Sequence, residues 1–235
     1  MVPAFNEAES IPSLFELMSN LNESTSFEVQ LLIVENGSRD STRRVIHEQA
    51  SRFSALTFSV LELDSNIGYG GALKKGIASA ETQVVALLPA DGKYKLKDIQ
   101  EVCESSVLDG NHDLMIKGFR NSRNDPPSVQ FLSAALTKIT NVLFGTSLKD
   151  VNGLPKVFNK SSILEYLPIV PNDACFDSGL IAIWNRDGRL FREIPVSFMQ
   201  KNLRQTSWAG KKFRVSTQMF LKILIFSIRL KRVRS

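Results

Sequence analysis

Polar and charged side chains follow four apolar runs of this sequence, each at the point where a strand is predicted to end. Glu35, Asp64, Asn66 and Asp91 follow the first three of these runs, and Arg120 follows the fourth. The carboxyl ends of parallel strands form one edge of a sheet, and ligands bind at that edge. A carboxylate there accepts a hydrogen bond from a nucleobase, and an arginine offers a planar pair of donors to phosphate oxygens. The pattern therefore predicts a binding site at this edge.

The apolar runs alternate with segments of helical periodicity, which predicts a mostly parallel sheet with helices on both faces. The predicted strands are Val29–Val34, Phe58–Leu63, Val84–Leu88, Leu114–Lys117 and, later, Leu190–Phe198. The predicted helices are Ile11–Leu21, Asp40–Phe53, a segment that follows Gly68–Gly71 and runs through Ala80, Leu96–Leu108, Ser128–Phe144 and Phe176–Trp184. Ser10 and Asp40 are expected to cap the first two helices.

Composition excludes several classes of protein. Hydrophobic residues make up 43% and charged residues 23% of the 235 residues, which is a globular balance. Two separated cysteines indicate a reducing compartment rather than a disulfide framework, and two histidines disfavour a zinc site. The N-terminus has no secretory signal, so we expect a cytoplasmic location. Nothing in the sequence predicts nucleic acid as a partner.

The C-terminal segment differs in charge from the rest of the chain. From Lys201 to Ser235 there are ten lysines and arginines and no acid, whereas the preceding residues carry a net negative charge. Residues Met219–Ile228 are mostly apolar, but a spanning helix needs about 20 such residues. We expect the segment to lie on an anionic membrane surface as a peripheral contact. A helix packed on the domain, or in a homodimer, is the alternative.

Seven short motifs occur in an order that resembles the family-2 glycosyltransferases of the GT-A fold. They are Val2–Glu7, Val34–Thr42, Asn66–Leu73, Pro89–Gly92, Gly118–Arg120, Asp150–Gly153 and Glu193–Val196, followed by Arg204 and Ser207. Within that family the sequence is most similar to the polyprenyl-phosphate sugar transferases, such as dolichyl-phosphate mannosyltransferase.

The resemblance implies one GT-A domain over 1–212, with a nucleotide-binding half near 1–120 and an acceptor half near 121–212, and a basic apolar segment at 213–235. The implied reaction moves a sugar from a nucleoside-diphosphate sugar to an acceptor, with inversion at the anomeric carbon. A polyprenyl phosphate is the candidate acceptor.

The resemblance also assigns site residues. Those expected to contact the donor nucleotide are Pro3, Ala4, Phe5, Glu7, Glu35, Ser38, Asn66, Ala90 and Asp91. Those expected at the sugar and phosphates are Arg120, Lys201 and Arg204. Asp91 is the expected catalytic ligand of Mg²⁺ or Mn²⁺. Asp150 is the expected base if the acceptor is a sugar hydroxyl, whereas a lipid phosphate needs cations more than a base.

The sequence departs from the family at three acids. Pro89 replaces the first Asp of the Asp-x-Asp motif, Asn36 replaces an acid of the second motif, and Gly179 stands where many relatives have Glu. A catalytically impaired relative that binds nucleotide sugars is therefore one alternative. A nucleotidyltransferase is another, disfavoured because the first loop, Asn6–Glu9, is acidic and lacks glycine. The first strand is expected to be a stub, unless the natural chain begins upstream.

Overall fold

Strands and helices alternate through the first half of the chain, as the sequence predicts. The computed structural model describes residues 1–92, 94–123, 126–198 and 212–232. The strands are β1 (Val2–Ala4), β2 (Leu31–Glu35), β3 (Phe58–Glu62), β4 (Val84–Leu87), β5 (Leu114–Arg123), β6 (Lys156–Asn159) and β7 (Leu190–Phe198). The helices are α1 (Ile11–Ser24), α2 (Thr42–Arg52), α3 (Tyr69–Ser79), α4 (Leu96–Asp109), α5 (Pro127–Phe144), α6 (Phe176–Arg186) and α7 (Lys212–Arg232), with short 3-10 turns at Lys160–Ser162 and Leu164–Tyr166.

The strands form two hydrogen-bonded groups that meet at Met1. One is parallel with the order β1-β2-β3, and the other is mixed with the order β4-β6-β5-β7. The Met1 nitrogen donates to the Ala86 carbonyl at 2.7 Å, and the Leu88 N–H donates to the Met1 carbonyl at 3.0 Å. These two bonds join β1 to β4, so the described strands form one layer, which confirms the predicted α/β architecture.

The antiparallel strand β6 is absent from the sequence prediction. It pairs with β4 and with β5, and its Lys156 lies opposite Lys117 of β5. Its four residues begin with a lysine and follow a turn, so the segment lacks the apolar run that marks the other central strands. The Lys156 side chain is nevertheless completely buried. The ion pair that permits this burial depends on a residue distant in sequence.

The first strand is a stub, as expected. It contains three residues, and its pairing with β2 begins at Val2 and Ile33. The neighbouring strands extend further than β1 does, and they border a groove of about 210 Å³ between them. Apolar side chains of β2, β4 and α4, including Leu31, Val85 and Val107, line this groove.

The predicted N-terminal caps of α1 and α2 agree with the structure only in part. Ser10 occupies the N-cap of α1, but its hydroxyl donates to the Glu7 carboxylate at 2.9 Å and accepts no helix N–H. The N–H groups of Ser10 and Ile11 bond to the Glu7 carbonyl, and Pro12, in the second helical position, has no N–H for a serine cap to accept. Asp40 does accept from the N–H of Thr42, the first residue of α2, at 2.9 Å, but the N-cap position of α2 is Ser41, one residue later than expected.

The C-terminal helix α7 packs on the domain against α5 and α6, which is the alternative arrangement for this segment. Ile223, Phe226 and Leu230 are buried, and the Phe226 ring lies 6.2 Å from that of Phe144. Lys222 makes an ion pair with Asp173 in the segment that precedes α6. In the part of the chain that the structure describes, no helix is both long and apolar enough to cross a bilayer.

Candidate active site

The first two motifs form one hydrogen-bonded unit at the carboxyl edge of the sheet. Ala4 and Glu35 are register partners at the ends of β1 and β2. Beyond them, the Asn6 N–H donates to the Ser38 hydroxyl at 3.0 Å, and the Glu7 N–H donates to the Thr42 hydroxyl at 2.8 Å. The structure thus brings the predicted donor-binding residues Pro3–Glu7 together with Glu35 and Ser38.

Glu35 is buried and held by two partners. Its carboxylate accepts from the Ser38 N–H at 2.6 Å and from the Arg43 guanidinium at 2.8 Å. Burial alone would raise the pKa of Glu35, but the hydrogen bonds from Ser38 and Arg43 outweigh it and lower the pKa. Glu35 is therefore an ionised anchor for the Ser38 loop. The sequence analysis missed Arg43, which lies in the first turn of α2, eight residues after Glu35.

Glu7 and Phe5 occupy the surface of the same loop. The Glu7 carboxylate accepts from the Ser10 hydroxyl, and the Glu7 carbonyl accepts the first N–H groups of α1. Glu7 therefore holds the start of α1 through both its carboxylate and its carbonyl oxygen. Phe5 is 37% exposed, which leaves an aromatic face next to the strand ends. Contact of either side chain with a nucleotide stays a prediction.

Asn36 fixes the glycine-rich turn through hydrogen bonds that an acid could not make. Its amide donates to the Asn66 side-chain oxygen and to the Gly68 carbonyl, both at 3.3 Å, and its own oxygen accepts from the Ile67 N–H at 3.1 Å. A carboxylate has no hydrogen to donate. The asparagine that replaces the family's acid therefore suits its contacts with the glycine-rich turn. The side chain of Asn66 is a hydrogen-bond partner of Asn36.

The glycine-rich turn packs against another protein segment. A Cβ at Gly70 would lie 2.4 Å from the Pro171 carbonyl oxygen, and the Gly71 N–H donates to the Asn172 carbonyl at 2.8 Å. Lys74 of α3 donates to the Val170 carbonyl at 2.9 Å and to the Asn172 side chain. The glycines thus permit close approach to residues 170–172, and Lys74 is bound to the same segment.

Gly179 cannot regain the family's acid without moving its neighbours. A Cβ at this position of α6 would lie 2.5 Å from Cδ of Pro171. We expect Gly179→Glu to cost about 1–3 kcal/mol, because overpacking shifts the surrounding backbone. Urea unfolding measures this loss. Ala134→Glu, on the exposed side of α5, is the matched control and should change stability by less than about 0.5 kcal/mol. Equal stability of Gly179→Glu and the parent would contradict the packing argument.

Asp91 follows β4 at the same edge, after the buried Ala90. Among the residues that the structure describes, no three His, Cys, Asp or Glu side chains gather as a metal site. Pro89 offers no ligand atom, so Asp91 is the one carboxylate of this motif. Mg²⁺ commonly takes one or two carboxylates and completes its shell with phosphates and water. A single carboxylate at an accessible edge fits that mode of binding and does not fit a protein cage.

Tyr94 is a buried residue of this region that the sequence analysis missed. Burial raises the pKa of its hydroxyl above the ordinary range, and the charged groups that act on it are Arg120, Asp150 and Asp91. Tyr94 therefore lies within electrostatic range of both predicted catalytic aspartates. Nothing in the local sequence marks it, because it follows a turn and precedes a helix.

Arg120 and Asp150 form a nearly buried ion pair. Asp150 accepts from the Arg120 Nε at 2.6 Å, from its Nη2 at 2.8 Å and from its backbone N–H at 3.2 Å. The side chains are 12% and 7% exposed, respectively. Burial alone would raise the pKa of Asp150, but the bonds and charge of Arg120 outweigh it and hold the pKa far below its usual range. Such a carboxylate is a weak proton acceptor, which argues against the predicted role of Asp150 as a base.

Two buried lysines lie behind this pair. Lys117 contacts Glu193, and the Lys156 Nζ lies 2.5 Å from the Asp177 carboxylate. Burial, with the neighbouring Lys156 as the second cause, lowers the pKa of Lys117 to about 8. The sequence analysis noted the motif that contains Glu193 but assigned it no role, and it missed both lysines. Lys201 and Arg204, predicted at the phosphates, lie outside the described residues.

The family model for glycosyl transferase family 2 matches residues 1–162. The chain belongs to this family. It is therefore a glycosyltransferase, as the motifs predict, and the nucleotidyltransferase alternative loses its support.

The relatives by sequence include polyprenyl-phosphate sugar transferases. A dolichyl-phosphate beta-glucosyltransferase of Trichomonas vaginalis is 25% identical over 97% of this chain and 71% of its own length. The human dolichyl-phosphate beta-glucosyltransferase is 28% identical over 43% of this chain and 33% of its own length. An undecaprenyl-phosphate 4-deoxy-4-formamido-L-arabinose transferase of Pseudomonas fluorescens is 22% identical over 69% of this chain and 47% of its own length. These similarities confirm the resemblance to polyprenyl-phosphate sugar transferases that the motifs indicated.

Solved structures confirm the fold. Glucosyl-3-phosphoglycerate synthase from Mycobacterium tuberculosis, in complex with Mn²⁺, uridine diphosphate and glucosyl-3-phosphoglycerate, aligns with a TM-score of 0.66 at 17% identity. The alignment covers 94% of this chain and 77% of the synthase. Mannosyl-3-phosphoglycerate synthase from Rubrobacter xylanophilus aligns with a TM-score of 0.62 at 14% identity. This alignment covers 99% of this chain and 73% of the synthase.

Proposed function

We propose that this glycosyltransferase moves a sugar from a nucleoside-diphosphate sugar to a polyprenyl phosphate, with inversion at the anomeric carbon. The observation that carries the acceptor class is the Arg120–Asp150 ion pair, whose carboxylate has a strongly lowered pKa. The names of the sequence relatives, which include dolichyl-phosphate beta-glucosyltransferases, support the same acceptor and make glucose the first sugar to test.

A sugar hydroxyl and a lipid phosphate demand different help from the protein. A hydroxyl must lose its proton as it attacks, which requires a base with a pKa near the working pH. A phosphate monoester has a second pKa of about 6 and arrives ionised, so it requires cations that hold it in place. Asp150 does not meet the first requirement. Together with Arg120 it meets the second, because the carboxylate fixes the orientation of the guanidinium.

The donor lies, in this proposal, along the edge formed by Ala4, Glu35 and Asp91. Glu35 holds the Ser38 loop, and the Asp91 carboxylate would hold Mg²⁺ or Mn²⁺ together with diphosphate oxygens. When bound, the cation neutralises the charge that develops on the leaving diphosphate. The solved complexes of glucosyl-3-phosphoglycerate synthase, which has the same fold, include Mn²⁺ or Mg²⁺ with uridine diphosphate, and this supports the proposed cation.

A lipid acceptor also requires access to a membrane, and we propose that α7 provides it on the cytoplasmic face. One side of α7 packs on the domain, but Leu221, Leu224, Ile225 and Ile228 are 40–58% exposed. Phe131 and Val142 of the adjoining α5 are more exposed still. This apolar surface, with the exposed Lys222 and Arg229 of the same helix, suits the headgroup region of an anionic leaflet.

Loss of two apolar side chains from this surface should release the protein from vesicles. We expect Ile225→Ser/Ile228→Ser to lower co-sedimentation with phosphatidylserine-rich liposomes about tenfold or more, since each buried CH₂ contributes about 0.8 kcal/mol. Val107→Ser/Leu108→Ser is the matched control, because it removes two exposed apolar side chains from α4 instead. If the α7 variant sediments as the parent does, α7 is not the membrane contact.

A donor panel tests whether the chain is active at all. UDP-glucose, UDP-N-acetylglucosamine and GDP-mannose would each be incubated with Mg²⁺ or Mn²⁺ and dolichyl phosphate, and lipid-linked sugar would be measured. We expect one donor to give product and to raise the melting temperature in the same ionic conditions. The departures at Pro89, Asn36 and Gly179 support a second candidate function, a catalytically impaired binder. That candidate predicts a shift in melting temperature with a donor and no product with any.

A further inference from the structure

A buried ion pair outside the predicted site holds the backbone of the loop that carries Asp150. The pair is Lys117 of β5 and Glu193 of β7, which are register partners on adjacent parallel strands. The Lys117 side chain is completely buried, and that of Glu193 is 11% exposed. Such a pair costs desolvation energy, and two apolar residues would fill the same space at lower cost.

The Lys117 ammonium uses three acceptors, one for each of its hydrogens. They are the carbonyl oxygens of Asp150 and Gly118, the latter at 3.1 Å, and the Glu193 Oε1 at 3.3 Å. The first of these contacts fixes the carbonyl side of Asp150. A lysine inside a strand thus reaches the loop that follows α5 and binds it through a main-chain atom.

The Glu193 carboxylate fixes the amide side of the same residue. Its Oε2 accepts from the Lys149 N–H at 2.7 Å, and its Oε1 accepts from the Asp150 N–H at 3.3 Å. The loop also lies directly on β5, since a Cβ at Gly153 would be 2.1 Å from the Gly118 carbonyl oxygen. Both backbone polar groups of Asp150 are therefore held by charged side chains.

We propose that Lys117 and Glu193 are positioning residues for the transfer reaction. They hold the Asp150 backbone, and the Asp150 carboxylate in turn orients the Arg120 guanidinium toward the acceptor phosphate. This inference rests on the proposed function. Neither residue contacts the reacting atoms in this arrangement, because the Asp150 loop lies between them and Arg120.

The variants Lys117→Met, Glu193→Gln and the double variant test the proposal. Each single change leaves one buried group without its partner, so each should also lower stability, whereas the double variant removes both charges. Lys160→Met is the matched control. The Lys160 Nζ also donates to a main-chain carbonyl, that of Ala80. Lys160 follows the C-terminal end of β6, whereas the Asp150 loop precedes the N-terminal end of that strand.

Two measurements separate positioning from folding. We expect each variant, the double included, to lower kcat/KM for dolichyl phosphate about tenfold or more, while the Kd of UDP with Mn²⁺ changes less than about twofold. The NMR signal of the Arg120 Nε–H should exchange with water faster in the same variants. The double variant should recover melting temperature and not activity. Lys160→Met should change none of these quantities except stability.

Two results would overturn the proposal. One is an unchanged Arg120 Nε–H signal and unchanged kcat/KM in folded variants. The other is a loss of UDP affinity in proportion to activity, which would indicate general damage to the fold. If the parent protein transfers no sugar, the proposed function fails. The NMR comparison still decides whether Lys117 and Glu193 control Arg120, because it requires no turnover.

Discussion

Asp91→Asn should lower kcat/KM by about 10²–10³, the loss found when one group that stabilises transition-state charge is removed. Because Pro89 replaces the other acid of the motif, the motif offers no second carboxylate that could take over the role of Asp91. Its position after β4 at the sheet edge keeps it out of the core, so stability should change little. Steady-state kinetics with saturating Mn²⁺, and calorimetric titration of UDP with and without Mn²⁺, measure the two effects.

The control for this change is Asp109→Asn. Asp109 ends α4 and pairs with Arg192, away from the sheet edge that carries Asp91. It should retain the activity of the parent. Retained activity and retained Mn²⁺ dependence in Asp91→Asn would remove Asp91 from the site and leave the proposed cation without a protein ligand.

Asp150→Asn should lower kcat/KM about a hundredfold, because the change removes the carboxylate that orients Arg120. The amide retains one acceptor oxygen, so the variant would lose the bidentate charged contact and keep part of the shape. The KM for the lipid phosphate should rise and kcat should fall, because a residue that positions the phosphate also affects acceptor binding. A base would show mainly a loss of kcat.

The pH dependence gives an independent test of this role. The folded-state pKa of Asp150 lies far below its unfolded value of about 3.9, so its contribution to stability is complete above that value and is lost as the pH falls through the folded pKa. Asp150 is therefore ionised across about pH 5 to 8, and no step in the rate profile should arise from it. If the pH–rate profile of the parent has a limb near neutral pH and this limb is absent in Asp150→Asn, Asp150 acts as a base.

The sequence predicted the strands and helices well because most of them carry an uninterrupted apolar run or a helical stripe. The strand β7 has the predicted bounds, Leu190–Phe198, and α1 buries the five residues that its periodicity indicated. The prediction failed at β6, because four residues that begin with a buried lysine carry no such pattern.

The site could be predicted only to the level of motifs. Asp91, Arg120 and Asp150 are charged residues within family motifs, so the sequence alone marks them as candidates. The strand order brings the segments that carry them to one edge of the sheet. The hydrogen-bond partners that hold Asp150 are distant in sequence: Arg120 lies thirty residues before it, and Glu193 lies forty-three residues after it. Tyr94 and Lys117 carry no local signal, since their significance arises only from what surrounds them in the fold.

The most direct test of the acceptor class compares two lipids that differ by one group. The protein would be incubated with the donor that the panel identifies, with Mn²⁺, and with either dolichyl phosphate or dolichol in the same detergent. The proposal predicts sugar on dolichyl phosphate and none on dolichol, because only the phosphate arrives ionised and can be held by Arg120. Transfer to dolichol at a comparable rate, or to neither lipid while a water-soluble hydroxyl acceptor is glycosylated, would contradict it.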